Sequence, residues 1–567
     1  MKKQTIKVVA ILAIAGSLAT GCSLLKDVTY ESSTNPLEMH GDSVRVQVDI
    51  TFPEKGINKK AAAEIVPMIG STALKPLRVQ GEKATGNGEA IQYKAGGKVT
   101  YKDMVAYTPD MEGADFMVTG KIYKGEKEKG EIEATKIADA TIITPYLVDK
   151  DFKVVIAKDE FRRVTQESTL TVINYDKGRD AVKSSELKDD DVKAYGEFLI
   201  EAQANPKVEL TKINVVGYAS PEGEVDKNNG LSGNRAASAI AAAMKIAKKS
   251  KNETAQTEGM YTPSGSGEDF AGFERELTAD TEMNESDKQL VLRILQTESN
   301  PATREEKMRD LGKSFTYLDK NIFPKLRRAE ITTNYDLTGF SDEEMKANSV
   351  SNPDTLNLEE LLFCATLYTD LNEKLRVYKI AETRFPKDYR TSNNVGAVLY
   401  MMNKVSDAKA KFEKANGVKD NPISKNNLGA VAGVEGDRTK ASKLLGQAGG
   451  AGSEVDYNKG IISIQNGNYG DAVTQLGSDA SFNKGLAQLL NGSASITAGT
   501  VDGSDDAETG QGYYLKAVAA ARQDKLADVV SNLKSAISKD GAYKAKAAKD
   551  REFIKYMENA SFTAIAK

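Results

Sequence analysis

A short phrase, Asn-x-Gly, recurs late in the chain and constrains its fold more than any other feature. The phrase begins at Asn394, Asn427, Asn458 and Asn483, at intervals of 33, 31 and 25 residues. From Leu356 onward the surrounding residues also have apolar side chains at helical spacing. A period near 34 residues predicts helix pairs that stack on one another, because a single pair cannot bury its apolar face alone.

This region resembles tetratricopeptide repeats in its period, in its small residues and in the placement of Pro386 after Tyr378 and Ala381. The resemblance implies an all-α solenoid over residues 350–560, with its later units shortened. Solenoids of this kind have a concave surface that typically binds peptides or protein segments. We therefore expect a protein partner on the repeats, and a purely structural solenoid is the alternative.

The first residues have the pattern of a signal peptide that ends in a lipidation motif. Lys2 and Lys3 precede an apolar run over residues 8–19 that is too short to span a bilayer stably. Small residues then lead to Cys22, although Ala19 stands where the motif usually has leucine. We expect removal of residues 1–21 and acylation of the Cys22 thiol. The alternatives are an ordinary signal peptide with a chance cysteine, or a short membrane anchor.

The scarcity of reactive side chains limits the possible chemistry. The chain has two cysteines, Cys22 and Cys364, and if the first is acylated no disulfide can form. Cys364 lies in an apolar helical pattern that predicts a buried, inert thiol. His40 is the only histidine in the sequence, so a metal site with several histidine ligands is excluded. Catalysis by a nucleophile paired with a histidine is also excluded, unless His40 is that histidine.

Charge and motifs agree with a protein that binds rather than catalyses. A net charge of −4 does not show the excess of basic residues that is typical of proteins that bind nucleic acid. The 81 acidic residues are typical of a solvated surface. No phosphate-binding loop of the GxxxxGK[ST] type is present. We expect a non-enzymatic protein without metal or cofactor.

The N-terminal part of the mature chain predicts a linker followed by β-strands. Residues 22–44 are polar and without periodicity, which indicates a lipidated linker. Apolar and polar residues then alternate over residues 44–50, 116–123 and 141–144. These patterns predict a β-rich, sandwich-like domain over residues 45–165, with one short helix near residues 59–66.

The middle of the chain predicts a strand at residues 168–174, a helix at 190–204 and a strand at 212–216. The following loop and helix resemble the OmpA-like peptidoglycan-binding domain, whose motif spaces Gly, Asp, Gly, Asn, Leu-Ser and Arg-Ala. The matching residues are Gly217, Gly223, Asn228, Leu231, Ser232, Arg235 and Ala236, with a second block at Leu326-Arg327-Arg328-Ala329-Glu330. The resemblance implies an α+β domain over residues 166–340. A long insertion at about residues 250–315 would contain a flexible stretch at 261–269 and helices at 286–297 and 303–310.

The OmpA-like resemblance also implies a ligand site. Arg235 keeps the family's position for a carboxylate of the cell-wall stem peptide, which suits a guanidinium. Ser220 stands where the family has the aspartate that binds the ammonium group, and Glu222 could supply that charge from a different backbone position. The remaining candidates are Gly217, Asn228 and Arg327. The alternative is that Ser220 and Glu222 shape a turn and Arg235 makes a structural bridge.

Residues 165–555 as a whole resemble a Bacteroidota-type lipoprotein group with a variant OmpA-like domain before helical repeats. The resemblance implies a multi-domain outer-membrane lipoprotein that contacts peptidoglycan and holds a protein partner on its repeats. The alternative is an adaptor of an assembly or secretion complex, in which the OmpA-like domain contacts protein. No strong acidic cluster follows Cys22, and this favours the periplasmic side of the membrane.

Overall fold

The computed structural model describes residues 24–567, which form two compact units. The first unit contains the chain up to Lys158 together with Asp370–Lys567, and the second contains Asp159–Thr369. The predicted signal peptide and Cys22 lie outside the described residues. The first unit therefore joins two parts of the chain that are more than 200 residues apart.

The N-terminal part of the first unit is β-rich, as predicted. Its strands are β1 Thr29–Ser32, β2 Met39–His40, β3 Ser43–Phe52, β4 Ala61–Ile69, β5 Thr72–Ala73, β6 Leu77–Gly81, β7 Glu89–Ile91, β8 Gly97–Ala106, β9 Asp115–Lys124 and β10 Lys127–Asp139. One sheet has the order β1-β3-β2, with β8 also paired to β3. The other has the order β10-β9-β4-β6-β7, with β5 beside β4.

The two sheets share one apolar core. Val46, Val48 and Ile50 of β3 and Ala63 and Ile65 of β4 are buried in the same cluster. Their spacing of two residues places them on one face of each strand, which is the alternation that the sequence shows.

Three local predictions for this region are wrong. In its described part the expected polar linker is folded, because β1 pairs with β3 and Leu37 is fully buried. The helix expected near residues 59–66 is strand β4, since pairing with β6 and β9 outweighs the helix propensity of its alanines. The strand expected at residues 141–144 is an isolated bridge at Ile142, followed by a 3-10 turn at Thr144–Leu147.

The β-rich domain also ends before the predicted residue 165. Its last strand ends at Asp139, and residues 148–162 form neither helix nor strand. The next strand begins at Val164 and belongs to the second unit.

The second unit has an α+β fold. Its elements are β11 Val164–Asn174, α1 Asp190–Ala204, β12 Val208–Ala219, α2 Val225–Lys249, β13 Tyr261–Glu268, α3 Phe270–Ala279, α4 Glu285–Thr297, α5 Pro301–Arg309, α6 Lys313–Asn321, α7 Phe323–Leu326, β14 Arg328–Thr338, α8 Asp342–Ser351 and α9 Leu358–Thr366. The sheet has the order β11-β14-β12-β13, and only its β12–β13 pair is parallel. Helices α1 and α2 pack on it through Leu199 and Ala236. The strands and helix predicted for residues 168–216 are confirmed.

The insertion begins later than predicted. Residues 261–268, expected to be flexible, form β13 beside β12. Gly265 permits this placement, because a Cβ there would lie 2.8 Å from the Ser232 Oγ of α2. The predicted helices at residues 286–297 and 303–310 are confirmed as α4 and α5. The inserted helices have a core of their own, which contains Phe273 and Phe323.

The C-terminal part of the first unit is helical, as predicted. Its helices are α10 Leu371–Arg384, α11 Tyr389–Met401, α12 Val405–Val418, α13 Pro422–Val434, α14 Arg438–Gly446, α15 Glu454–Gln465, α16 Tyr469–Gln475, α17 Phe482–Leu490, α18 Ala494–Asp502, α19 Gly510–Ala521, α20 Leu526–Lys539, α21 Ala542–Lys549 and α22 Ala560–Ala566. Helices α11 to α20 pack in consecutive pairs, beginning with α11 and α12. Helices α8 and α9 group with the second unit, so the paired helices of the first unit begin after the predicted residue 350.

The glycine of each Asn-x-Gly phrase lies where the two helices of a pair come close. A Cβ at Gly396 would lie 2.7 Å from the Phe412 ring, and one at Gly460 would lie 2.5 Å from Leu476. The same crowding occurs at Gly429 and Gly485. A larger side chain would have to push the helices apart, which explains the recurring glycine.

Candidate functional site

Residues 149–157, which we call the strap, lie along the first helices of the pairs. The strap is neither helix nor strand, and its backbone is bonded at Lys153, Val155 and Ala157. A contact at every second residue is the spacing of an extended chain. The helices that face it, α11, α13, α15 and α17, are those that contain the Asn-x-Gly phrases.

Each of these helices binds one strap residue through an asparagine that we call a ladder asparagine. The amide oxygen accepts the backbone N–H of the strap residue and the amide nitrogen donates to its C=O. The pairs are Asn483 with Asp149 (2.9 and 2.9 Å), Asn458 with Lys153 (2.7 and 2.8 Å), Asn427 with Val155 (2.7 and 2.8 Å) and Asn394 with Ala157 (2.8 and 2.9 Å). The ladder therefore satisfies both backbone groups of each bound residue.

Two further asparagines, Asn393 and Asn426, support the ladder. Asn393 donates to the Val155 carbonyl (3.1 Å), and its oxygen accepts from Asn427 (3.0 Å). In the next helix pair, Asn426 donates to the Lys153 carbonyl (3.1 Å) and its oxygen accepts from Asn458 (3.0 Å). The ladder and supporting asparagines are all fully buried. A buried amide without hydrogen-bond partners costs free energy. The strap supplies partners for the buried asparagines, and the asparagines supply partners for the backbone of the strap.

One strap side chain has a pocket of its own. Phe152 is 3% exposed and packs against α13 at Gly433, where a Cβ would lie 2.4 Å from the ring. The Tyr400 hydroxyl donates to the Phe152 carbonyl (2.9 Å). Burial of a phenyl ring contributes about 1.5–3 kcal/mol. Phe152 is therefore the main side-chain anchor of a segment held otherwise by its backbone.

The acidic side chains of the strap meet hydroxyl and amide donors. The Tyr457 hydroxyl donates to Asp151 (2.8 Å), and the Lys153 ammonium lies 4.2 Å from the centre of the Tyr457 ring. Gln511 of α19 donates to Asp149 (3.5 Å). Burial, together with the hydrogen bond to Asp151, raises the pKa of Tyr457, so its hydroxyl remains a donor at neutral pH.

A cluster of buried charges holds the chain just before the strap. Thr144 donates to the Glu552 carboxylate, which also accepts from the Arg522 Nε (2.9 Å). Asp550 accepts from the Tyr514 hydroxyl (2.6 Å) and from the Glu552 backbone N–H (2.9 Å). Burial, and then the charge of Glu552, raises the pKa of Asp550 to about 6.

The Asn-x-Gly phrase is visible in the sequence, but the function of its asparagine is not. The repeats were expected to bind a partner, whereas the strap of the same chain covers the ladder asparagines in the structure. A usable signal is the doublet Asn393-Asn394, repeated at Asn426-Asn427. Asparagine is unfavourable inside a helix, so a doublet at the same position of two helices indicates side chains with fixed partners.

In the second unit, the residues of the OmpA-like motif meet at the carboxyl end of β12. Gly217 lies against α2, and a Cβ at this position would be 2.0 Å from the Ser232 carbonyl oxygen. The glycine therefore allows β12 and α2 to pack closely. Asn228 donates to the Ser220 carbonyl (3.2 Å) and to the Glu268 carboxylate (2.8 Å). These contacts shape the loop between β12 and α2.

Arg235 is 1% exposed and binds backbone rather than a carboxylate. Its guanidinium donates to the carbonyls of Tyr218 (2.7 Å), Arg179 (2.9 Å) and Asp176 (3.1 Å). Burial lowers the pKa of Arg235 to about 10. The side chain thus joins the loop after β11 to the end of β12, in agreement with the structural alternative for this residue.

Ser220, Glu222 and Arg327 form one hydrogen-bonded group. The Arg327 Nε donates to the Ser220 Oγ (3.1 Å) and to the Glu222 Oε1 (3.0 Å), and its Nη2 pairs with Asp319 (2.8 Å). The Glu222 Oε2 is buried and has no hydrogen-bond partner among residues 24–567. Ser220, Glu222 and Arg235 line a cleft of about 510 Å³.

Within residues 24–567, no three His, Cys, Asp or Glu side chains are grouped to hold a metal ion. Every helix in that range is too short or too polar to cross a bilayer. His40 packs edge-on against Tyr469, with 4.9 Å between ring centres. Cys364 is fully buried in α9, as predicted.

Comparison with known protein families and with curated proteins gives no match. Solved structures of repeat proteins do match. A tetratricopeptide repeat protein from Parabacteroides merdae ATCC 43184 is 14% identical, with a TM-score of 0.27 over 39% of this chain and 90% of its own. YrrB, a TPR protein with an unusual peptide-binding site, is 18% identical (TM-score 0.22; 35% and 94%), and yeast Tom70 is 13% identical (0.25; 65% and 76%). Because these identities and TM-scores are low, the assignment of this chain to the helical-repeat proteins rests on the helix pairs described above.

Replacing one ladder asparagine should destabilise the first unit. In Asn458→Ala, Lys153 loses the partner of its N–H and one partner of its C=O. We expect the free energy of unfolding to fall by about 2–4 kcal/mol, measured by chemical denaturation. Asn468→Ala is the matched control, because Asn468 is exposed and makes no side-chain capping bond. Equal losses in the two variants would contradict a structural function of the ladder.

Stability should also depend on pH through Asp550. Since its pKa is about 6 in the folded protein, the folded state binds the proton more tightly than the unfolded state does. Stability should therefore rise as the pH falls from about 6 to about 4, the range between the folded and unfolded pKa values. At pH 8 we expect Asp550→Asn to melt several degrees above the wild type, with the difference shrinking toward pH 4.

Asp540→Asn is the control for this titration, because Asp540 is exposed and likewise accepts a backbone N–H. Thermal unfolding followed by circular dichroism at each pH gives the comparison. Parallel pH profiles of wild type and Asp550→Asn would show that another group is responsible.

Proposed function

We propose that this chain is a non-enzymatic scaffold protein, held at the outer membrane by a lipid on Cys22, whose helical repeats hold extended polypeptide. The observation that carries the proposal is the ladder, in which each asparagine offers a donor and an acceptor to the backbone groups of one residue. Buried amides at regular spacing bind backbone groups and supply neither a nucleophile nor a general base.

The anchor is supported by the order of residue types at the start of the chain. A basic start, a short apolar run and small residues before Cys22 are the features that signal processing and acylation require. The following residues, Ser23-Leu24-Leu25-Lys26-Asp27, lack a strong acidic cluster, and this supports the periplasmic side of the outer membrane.

Contact with peptidoglycan through the OmpA-like middle domain is a second candidate function, and Glu222 favours it. Its Oε2, which is buried and has no hydrogen-bond partner from residue 24 onward, lies beside the cleft, and an ammonium group of a stem peptide is a suitable partner for it. Arg235 instead favours the adaptor function, in which this domain contacts protein. Its guanidinium already binds backbone carbonyls, and a serine replaces the motif's aspartate.

Metabolic labelling with an alkyne fatty acid tests the anchor. We expect label on the wild type and on Cys364→Ala, and none on Cys22→Ser, because acylation requires a thiol at the processing site. Fractionation should move Cys22→Ser from the membrane to the periplasmic fraction. Unlabelled wild-type protein in the soluble fraction would overturn the proposed anchorage.

Sedimentation with purified cell-wall sacculi distinguishes the two candidate functions of the middle domain. Peptidoglycan binding predicts that Glu222→Gln is retained several-fold less than the wild type, since the charge that attracts an ammonium group is lost. Glu224→Gln is the matched control, because Glu224 is exposed and lines the same cleft. Equal retention of wild type and both variants would leave the adaptor function.

A further inference from the structure

The strap is held as a bound ligand is held, mainly through its main chain and on one face of a helical array. We propose that this face is an exchange site, at which an extended segment of a partner protein replaces the strap. The proposal rests on the scaffold function above and names the chemistry of the partner. The incoming segment has an acidic residue followed by an aromatic residue, and a small residue five positions after the aromatic one.

The ladder selects for extended backbone and tolerates many sequences. Asn458, Asn427 and Asn394 bind both backbone groups of residues two positions apart, as a neighbouring strand would. Such contacts depend on the main chain, which every residue except proline offers complete. Lys153, bound by Asn458, is an exposed residue whose ammonium lies 4.2 Å from the centre of the Tyr457 ring. Main-chain binding thus gives affinity without fixing the sequence of the occupant.

Three side-chain contacts set the preferred pattern. Phe152 fills the pocket at Gly433, which has room for a ring because α13 has no side chain there. One position before Phe152, the Asp151 carboxylate accepts a hydrogen bond from the Tyr457 hydroxyl. Ala157, at 2% exposure, has no space for a large side chain. The acidic, aromatic and small positions of the partner segment follow from these contacts.

Exchange breaks the ladder bonds, the Phe152 contact and the bond to Asp151, and an incoming segment of the same pattern forms all of them again. The strap belongs to no sheet, and Lys150 is exposed. Segments of this kind open locally at a lower free energy than global unfolding. Covalent attachment gives the strap an effective concentration of about a millimolar or more, so a free peptide competes poorly with it. A partner held at the same membrane overcomes this advantage by proximity.

A fluorescent peptide with the sequence of residues 149–158 tests the exchange by anisotropy on the full chain. We expect weak binding to the wild type and roughly 100-fold tighter binding to Phe152→Ala, because loss of the ring weakens the resident strap. Lys150→Ala, which changes an exposed strap residue, is the matched control and should behave as the wild type.

A milder variant keeps the test valid if Phe152→Ala does not fold. Asp151→Ala removes the hydrogen bond of the strap to Tyr457, whereas the peptide keeps its own aspartate, so peptide binding should tighten roughly fivefold. Two altered peptides probe the mode of binding on an unchanged protein. N-methylation at the position of Val155 removes the N–H that Asn427 accepts, and replacement of the phenylalanine empties the Gly433 pocket. Each change should weaken binding roughly tenfold.

Two outcomes would overturn the proposal. If Phe152→Ala folds but does not bind the peptide, the strap is a permanent part of the fold. This result would leave the proposed scaffold function standing, because fatty-acid labelling of Cys22 tests that function separately. Concentration-dependent dimers of Phe152→Ala that dissociate on peptide addition, seen by light scattering, would assign the site to the strap of a second copy instead of a partner protein.

Discussion

The hydrogen bonds between the ladder asparagines and the strap are the constraint on which the first unit depends. Four buried carboxamides, Asn394, Asn427, Asn458 and Asn483, face the same side of successive helix pairs. Without the strap each would lose the N–H and the C=O that it binds, and a buried polar group left unpaired costs about 1–3 kcal/mol. The strap has the same need, because its bound N–H and C=O groups belong to no sheet. Each therefore makes the other stable.

This mutual need explains why distant parts of the chain fold together. The strap follows the β-rich domain directly, and contacts of residues that precede the strap link that domain to the C-terminal helices. Gly41 donates to the Tyr469 hydroxyl (3.2 Å), Asp42 pairs with Arg438, and Thr144 donates to Glu552. The chain completes the strap before the helices that bind it have been made. Contacts across such separations close large loops, and they form late in folding.

The middle domain shows how burial changes the meaning of a motif. Arg235 occupies the position that the OmpA-like resemblance assigns to a ligand carboxylate, yet its guanidinium binds three carbonyls of its own chain. Gly217 is needed because strand and helix nearly touch. Glu222, which the motif does not contain, has a buried carboxylate oxygen that finds no hydrogen-bond partner in the described part of the chain. The structure brings the residues of the motif together, but residue identity could not say which of their polar groups already have hydrogen-bond partners within the chain.

The sequence by itself determined the paired helices, the alternating strands of β3 and β9, and the β-α-β order of the second unit. These follow from the spacing of apolar and small residues, which is a local property of the chain. Only the tertiary structure decided that residues 29–32 and 39–40 pair with β3, that residues 61–69 form a strand, and that residues 149–157 occupy the ladder. The reason is physical: hydrogen-bond partners of buried polar groups come from remote segments, and no local pattern encodes which segment arrives.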